Sequence, residues 1–278
     1  MKTRGFVASL GALLLPCLSA TALAGTETRT FQVGGETVQA YLGNFPGSRS
    51  SPGLVVIHDY WGLNEQIQGV VGRLARLGYV VLAPDLFKGK LIADPGRAQE
   101  ARRDLDEERA VAIVNGAIDE LRKLDGVKNR KVATIGFGMG GRISLAAALK
   151  GANVQGTVMF YGAVETTREA IAPLRAPLLG LFGEGDHAVP DKDVKLFQAA
   201  LKDAGKDATI VSYVNVGHCF MDETRADYDA EEAKDGWIRM RDWLAVKLEP
   251  RLPGGPSQAA PTIPGSGPSG DAVPAPTP

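Results

Sequence analysis

Apolar runs and amphipathic stretches alternate through the middle of the chain. Residues 53–58, Gly-Leu-Val-Val-Ile-His, show no polar alternation, which is typical of a strand that is covered on both faces. The following stretch, residues 64–77, repeats apolar side chains at helical spacing and is followed by Gly78, a residue typical of helix C-caps. These two stretches therefore predict a buried strand and a helix that packs on it.

The alternation recurs as far as residue 248, and residues 28–42 before it alternate in polarity around Gly34-Gly35, which predicts an N-terminal antiparallel hairpin. Strands that alternate with helices predict an α/β fold with a doubly wound, mostly parallel sheet and helices on both faces. The predicted strands are 53–58, 79–83, 131–135, 154–161, 177–182 and 209–214. The predicted helices are 64–77, 97–124 in two parts, 142–149, a short one near 165, 191–204 with Asp191 as its cap, and most of 222–248.

The first 24 residues have the pattern of a secretory signal. Lys2 and Arg4 precede an uncharged, largely apolar stretch, and Ala22-Leu23-Ala24 supplies the small residues of a cleavage site. We predict cleavage after Ala24 and export to the periplasm or out of the cell. No later stretch has the length of a membrane span, so we expect no stable membrane insertion after cleavage.

The other end of the chain, residues 249–278, is rich in proline and glycine. Nine of the chain's 17 prolines fall between Pro250 and Pro278, where large apolar side chains are few. Burying so few side chains cannot offset the entropy lost on ordering the segment, so we predict a disordered tail. A single folded domain, residues 25–248, lies between the two ends.

Charge and cysteine content narrow the classes of function. The chain has 31 basic and 32 acidic residues, a net charge of −1, which argues against a general nucleic-acid-binding protein. Removal of the signal would also remove Cys17 and leave Cys219 as the one cysteine. An exported chain with one cysteine forms no internal disulfide, so its stability must come from packing.

Candidate chemistry follows the predicted strands at their carboxyl ends, where parallel sheets gather functional groups. The glycine-rich turn 136–141 follows the central strand, Asp186 follows a later strand, and His218 follows the last one. A sharp strand–turn–helix, then an acid, then a histidine, is the chain order of the α/β-hydrolases. In that arrangement His218 would be the general base and Asp186 would hold its tautomer, whereas a capping aspartate and a buried core histidine are the structural alternatives.

These segments resemble the dienelactone hydrolase family, from about Leu54 to Leu244. The resemblance implies an α/β-hydrolase fold and hydrolysis of lactones or carboxylic esters through a Cys-Asp-His triad. It also implies an acidic site residue at Asp59 and oxyanion-hole N–H groups from Met139 and Tyr60. The residues that carry it are Asp59-Tyr-Trp-Gly-Leu, Ala83-Pro-Asp-Leu-Phe, Gly136-Phe-x-Met-Gly-Gly, Tyr161-Gly, Phe182-Gly-x-x-Asp186 and Gly217-His218-x-Phe220.

The chain departs from the family at the nucleophile, because the position of the family's cysteine is occupied by Gly138. Glycine has no side chain, so no acyl-enzyme can form at that position. Cys219 adjoins His218, but neighbours on an extended segment point to opposite sides, so we expect a packed thiol. The remaining groups could still activate water directly, which predicts slow hydrolysis of a small-molecule ester or lactone with no cofactor and no metal ion.

Two other functions remain open at this point. The protein could bind a ligand without turnover, as a relative that kept the pocket and lost the nucleophile. Alternatively, Gly136-x-Gly138-x-x-Gly141 has the spacing of a dinucleotide-binding turn. That turn falls in the middle of the chain, and the next strand ends without the acid that such sites place about 20 residues on.

The remaining residues near the strand ends have predicted roles in packing or in substrate binding. We expect His58 to pack beneath Asp59, and Asp85 to be a turn residue. Aromatic side chains are predicted to line an apolar pocket, and either of two basic side chains is a candidate to meet a substrate carboxylate. The aromatic residues are Tyr60, Trp61, Phe87 and Phe220, and the basic residues are Lys88 and Arg142.

Overall fold

The computed structural model describes residues 25–44 and 50–248, without the side chains of 128–130. The predicted signal, residues 1–24, and the predicted tail, residues 249–278, lie outside the described residues. No helix within the described ranges is long and apolar enough to cross a bilayer.

Eight strands form one sheet in the order β1-β2-β4-β3-β5-β6-β7-β8. The strands from β4 to β8 in that order run parallel, and β2 joins them antiparallel through β4, with β1 as its hairpin partner. The doubly wound sheet and the N-terminal hairpin are therefore confirmed. The strands are β1 Gly25–Val33, β2 Glu36–Asn44, β3 Ser51–Ile57, β4 Val80–Pro84, β5 Val127–Phe137, β6 Gly156–Phe160, β7 Leu178–Gly183 and β8 Ala208–Tyr213.

Helices cover both faces of this sheet. One face carries α1 and α7, whose Val71, Leu74, Trp243 and Leu244 pack on the sheet in one apolar cluster. The other face carries α3, α4 and α6, which bury their apolar sides in two further clusters. The helices are α1 Glu65–Arg76, α2 Pro95–Arg103, α3 Glu107–Lys123, α4 Met139–Leu149, α5 Arg168–Ile171, α6 Asp191–Asp203 and α7 Ala230–Leu248.

The structure corrects three helix boundaries. Residues 222–229 precede α7 and are not helical, because the Asp222 carboxylate accepts from the N–H and hydroxyl of Thr224 and closes a turn there. Helix α4 begins at Met139, three residues before the predicted start, directly after the turn at Gly138. Asp191 is the first residue of α6, and Pro190 is its N-cap.

Glycines let α4 approach the ends of the two central strands very closely. A Cβ atom at Gly140 would lie 2.2 Å from the carbonyl oxygen of Ile57, and one at Gly136 would lie 2.0 Å from the carbonyl oxygen of Gly140. Both contacts are with backbone, which cannot move aside cheaply. The spacing of these glycines therefore serves the packing of β3, β5 and α4, and it brings the first turn of α4 to the end of β3.

We predict that Gly140→Ala destabilises the fold, because its methyl group would overlap the backbone of β3. Overpacking of this kind costs about 1–3 kcal/mol. Gly69→Ala in α1 is the matched control, since nothing lies within 4 Å of its Cβ position and alanine favours the helix by up to about 1 kcal/mol. Urea unfolding measures the free energy of unfolding of each variant. Equal stability of the two variants would contradict the packing role of Gly140.

Candidate active site

Asp186 and His218 form a hydrogen-bonded pair at the carboxyl edge of the sheet. Asp186 follows β7 and is buried, and its Oδ1 accepts from the N–H groups of Ala188, at 2.7 Å, and Val189, at 3.0 Å. Its Oδ2 lies 2.6 Å from Nδ1 of His218, which follows β8. A carboxylate at Nδ1 assigns the proton to that nitrogen and leaves Nε2 as a base.

The surroundings of His218 favour its protonated form. Burial acts to lower the pKa of the imidazole, but the hydrogen bond that Nδ1 donates to Asp186, the charge of Asp186 and the charge of Asp59 outweigh burial. The pKa of His218 is therefore raised above its usual value of 6.5. The two carboxylates would therefore stabilise the imidazolium that forms if His218 takes a proton from water.

Asp59, directly after β3, occupies the predicted oxyanion hole with its own carboxylate. Its Oδ1 accepts from the N–H groups of Tyr60, at 2.7 Å, and Met139, at 3.1 Å. The N–H of Met139 belongs to the first turn of α4, where the helix dipole favours a negative charge. The two predicted N–H groups therefore converge, and both already donate to the carboxylate of Asp59.

Burial raises the pKa of Asp59, although the N–H groups of Tyr60 and Met139 and the charge of His218 act in the opposite direction. The Asp59 side chain is 6% exposed. No lysine or arginine within the described ranges forms an ion pair with it. The carboxylate is thus stabilised by hydrogen bonds and by His218 and has little contact with solvent.

Gly138 and Asp59 share one space. Gly138 has φ +52° and ψ −114°, a strained turn that L side chains rarely adopt. A Cβ atom added there would lie 2.4 Å from both carboxylate oxygens of Asp59. The sequence indicated a missing side chain at position 138, and the structure shows that the Asp59 carboxylate fills the place where it would begin.

Cys219 faces the site, and the expectation that it points away from it is wrong. Its backbone has φ +57°, so the segment is not extended at this point, and its Sγ lies 3.7 Å from Oδ2 of Asp59. Burial, followed by the charge of Asp59, raises the pKa of the thiol well above its usual range. The thiol therefore stays protonated and packed, as predicted, although for a different reason.

Asp59, His218 and Cys219 each offer one possible metal ligand, and these three atoms lie within 4.8 Å of one another. Ligands of a tetrahedral zinc ion stand about 3.3–3.8 Å apart, given bond lengths of about 2.0–2.3 Å. The three side chains would thus have to draw together to hold a zinc ion. Asp186 on the far nitrogen of His218 is the kind of outer partner that metal-binding histidines have.

A cavity of about 270 Å³ opens beside this site. Among the residues that line it are Tyr60, Gly138, Met139 and His218, four of the six predicted site residues. Tyr161, at the end of β6, also lines it, and the centre of its ring lies 5.2 Å from that of His218. Our prediction did not assign Tyr161 to the site, although its place at a strand end was visible in the sequence.

The other aromatic residues lie elsewhere. Phe220 is fully buried in the core against Phe160, Tyr161 and Tyr213, so its predicted place in the pocket is wrong. Trp61 is buried, with the guanidinium of Arg225 over its ring at 3.6 Å. Phe87 lines a separate cavity of about 960 Å³.

Neither predicted basic residue stands free at this cavity. Arg142 lines it, but its guanidinium bridges Glu107, at 2.9 Å, and Glu165, at 2.5 Å. Lys88 lines the larger cavity, 3.6 Å from Glu36. Arg142 therefore fixes the wall of the cavity, and an anionic substrate would have to compete with two carboxylates for it.

His58 and Asp85 have the predicted packing and turn roles. Nδ1 of buried His58 lies 2.7 Å from the carbonyl oxygen of Asp59, and its Nε2 accepts from the N–H of Leu86 at 3.0 Å. Asp85 accepts from the N–H groups of Phe87 and Gly89 and closes the turn after β4. His58 therefore holds the backbone of Asp59 from below.

We predict that the clash between positions 138 and 59 appears as a coupling energy. Gly138→Ala should cost more stability in the parent protein than in an Asp59→Ala background, by about 0.5–3 kcal/mol. The strain of a positive φ is present in both backgrounds and cancels in the comparison. Urea unfolding of the four proteins measures the coupling, and an equal cost of Gly138→Ala in both backgrounds would refute the shared space.

The chain is similar to known proteins over most of the residues that the structure describes. The model of the dienelactone hydrolase family matches residues 38–248. A Yersinia pestis protein named "Putative carboxymethylenebutenolidase" is 31% identical over 225 residues, which are 76% of this chain and 84% of that protein. "Protein usf" of Aquifex pyrophilus is 30% identical over 215 residues, 74% of this chain and 92% of that protein.

A solved structure from Klebsiella pneumoniae, described as a "Putative Dienelactone Hydrolase", superposes with a TM-score of 0.71 at 28% identity. The match covers 80% of this chain and 98% of that one. This likeness confirms the α/β-hydrolase fold that the order of strands, turn, acid and histidine predicted. The chain belongs to the dienelactone hydrolase family.

Proposed function

We propose that the protein hydrolyses small carboxylic esters or lactones, with water activated by His218 in place of a nucleophilic side chain at position 138. The observation that carries this proposal is the 2.6 Å contact between His218 and Asp186 at the wall of the cavity. Family membership supports a hydrolase. We further propose that residues 1–24 direct export to the periplasm or out of the cell, on the basis of their pattern of charge and small residues.

His218 would act first as a base and then as an acid. Its Nε2 takes a proton from a water molecule while the oxygen of that water adds to the carbonyl carbon of the substrate. Asp186 stabilises the imidazolium that results. When the tetrahedral intermediate collapses, the imidazolium returns the proton to the departing alcohol oxygen, so no covalent intermediate is needed.

Asp59 limits this reaction, because the substrate carbonyl oxygen needs the N–H groups of Tyr60 and Met139. Hydrogen bonds to a charged group contribute about 1.5–3 kcal/mol each, and the substrate must replace two of them. Withdrawal of the carboxylate would also free the space beside Gly138 for water. The arrangement therefore favours slow turnover.

We expect His218→Ala and Asp186→Asn to abolish turnover of p-nitrophenyl acetate and of dihydrocoumarin, a lactone. A positioned general base contributes about 10²–10⁴-fold, which sets the size of the loss. His187→Ala is the matched control, because His187 is exposed and does not line the cavity. Initial rates on the purified protein measure the effect.

Turnover by His218→Ala at the parent rate would refute the role of His218. Saturable binding of the ester or lactone without turnover by the parent protein would replace the hydrolase with the ligand-binding function. In that case the protein would keep the pocket, and the absence of a side chain at Gly138 would account for the lack of turnover.

The pKa of His218 predicts the pH dependence. A general base must be neutral, and the raised pKa of His218 keeps it protonated to higher pH than an ordinary histidine. The rate should therefore rise with pH and level off above a midpoint that exceeds 6.5. Rate–pH profiles, together with NMR titration of the His218 ring, measure the midpoint, and Asp186→Asn should move the titration to lower pH. A midpoint below 6.5 in both measurements would contradict this assignment.

A further inference from the structure

We propose that Asp59, His218 and Cys219 bind a divalent ion of the zinc type, and that the bound ion withholds His218 from the activation of water. The sequence predicts no metal ion, because Asp59 and Cys219 are 160 positions apart and no spacing relates them. The metal site stands on its own geometry, whereas its effect on turnover rests on the proposed hydrolysis of esters.

The spacing of the three ligand atoms is close to that of a tetrahedral site. Oδ2 of Asp59 lies 3.7 Å from Sγ of Cys219, inside the range of about 3.3–3.8 Å that separates the ligands of a zinc ion. The His218 nitrogen lies within 4.8 Å of both atoms, so it must come closer by at most about 1 Å to enter that range. The His218 side chain lines the cavity and is 17% exposed, so it is less tightly enclosed than the other two.

Asp59 and His218 each have one polar atom held and another one available to an ion. Oδ1 of Asp59 accepts from the two N–H groups of the predicted oxyanion hole, whereas the contact of Oδ2 is the Cys219 thiol. Nδ1 of His218 donates to Asp186, which leaves Nε2 as the nitrogen for a metal ion. Outer partners of this kind orient the carboxylate and histidine ligands of metal sites.

Negative charge is concentrated around these ligands. Asp59, Asp186 and Asp222 are all more than nine-tenths buried. Asp222 has Arg225 as a partner at 3.4 Å, but within the described ranges Asp59 and Asp186 share the imidazole of His218 as their cationic group. That imidazole carries one positive charge at most, and a divalent ion would supply two. Because buried charges are costly unless they are paired, this region favours a cation.

The types of ligand select the ion. A thiolate and an imidazole favour ions such as Zn²⁺, whereas Mg²⁺ and Ca²⁺ prefer sites built from oxygen ligands. The carboxylate of Asp59 and the thiolate of Cys219 carry two negative charges, which balance the charge of the ion when His218 is neutral. Three protein ligands leave the fourth position of a tetrahedral ion for water or another small molecule.

Binding exchanges protons for the ion, with no oxidation or reduction. Sγ of Cys219 loses its proton to solvent and forms a bond to the ion, and Nε2 of His218 does the same if it is protonated. Without an ion, burial and the charge of Asp59 keep the thiol protonated, and the positive charge of the ion reverses that preference. The lone pair of Nε2 cannot hold an ion and a proton at once. An occupied site therefore cannot activate water through His218.

Cobalt(II) is the probe for this site, because it replaces zinc in tetrahedral sites and absorbs in the near ultraviolet when a thiolate binds it. The untagged protein carries Cys17→Ser, so that Cys219 is its one thiol, and it is freed of metal with EDTA before titration with CoCl₂. We expect a thiolate band that saturates at equimolar cobalt and that Zn²⁺ abolishes but Mg²⁺ does not. Cobalt affinity should rise with pH, because binding releases protons.

Variants in the same background identify the ligands. Cys219→Ser should lose the near-ultraviolet band, and His218→Ala and Asp59→Ala should each weaken cobalt binding. Asp186→Asn should weaken it by about 10–100-fold, because Asp186 orients the His218 ring. His187→Ala is the matched control and should bind as the parent does, since His187 is exposed and does not line the cavity. No thiolate band in the parent protein, or an equal band in Cys219→Ser, would overturn the metal site.

Parallel assays with p-nitrophenyl acetate keep the metal site and the proposed hydrolysis apart. The rate of the metal-free protein should fall in proportion to the fraction of sites that Zn²⁺ fills. A rate that is unchanged or higher at saturating Zn²⁺ would overturn the effect of the ion on His218. Absence of turnover in the metal-free protein would remove the proposed hydrolysis and leave the metal site, because the cobalt spectrum does not depend on turnover.

Discussion

The approach of the Asp59 carboxylate to the backbone of Gly138 and Met139 is the constraint on which the rest of the site depends. It requires the end of β3 and the start of α4 to lie closer than side chains normally allow, and the glycines at 136 and 140 meet that requirement. His58 holds the Asp59 backbone from beneath through a buried imidazole. The packing of the central strands against α4 thus determines the position of the Asp59 carboxylate.

Electrostatics around His218 follow from the same placement. Asp186 bonds to one nitrogen of the ring, and Asp59 adds a second negative charge in the same buried region. Together they favour the imidazolium form of His218, and Asp59 also favours the protonated form of Cys219. The site therefore suits a histidine that carries protons and does not suit a thiolate.

The sequence was enough to predict the sheet, the helices on both of its faces, and Asp186 and His218 as partners at its carboxyl edge. Those features follow from periodicity and from the rule that parallel strands end at one edge. The direction of the Cys219 side chain depends on one positive φ, and the burial of Phe220 depends on ring contacts that no local pattern encodes. The helix predicted for residues 222–229 is absent because side-chain hydrogen bonds of Asp222 close a turn there, and these bonds compete with the helical pattern of the sequence. The meeting of Asp59 and Gly138 is a contact across 79 positions of sequence, and spacing alone could not reveal it.

The shared space of Asp59 and Gly138 has a consequence for any side chain placed at position 138. A cysteine there would meet the Asp59 carboxylate, so the thiol could enter the cavity only after that carboxylate turned aside. Asp59 would have to shift or be replaced first, and that change would abandon the contacts that hold the end of β3 against α4. Positions 59 and 138 therefore behave as one unit, in which the residue at one position decides what the other position can hold.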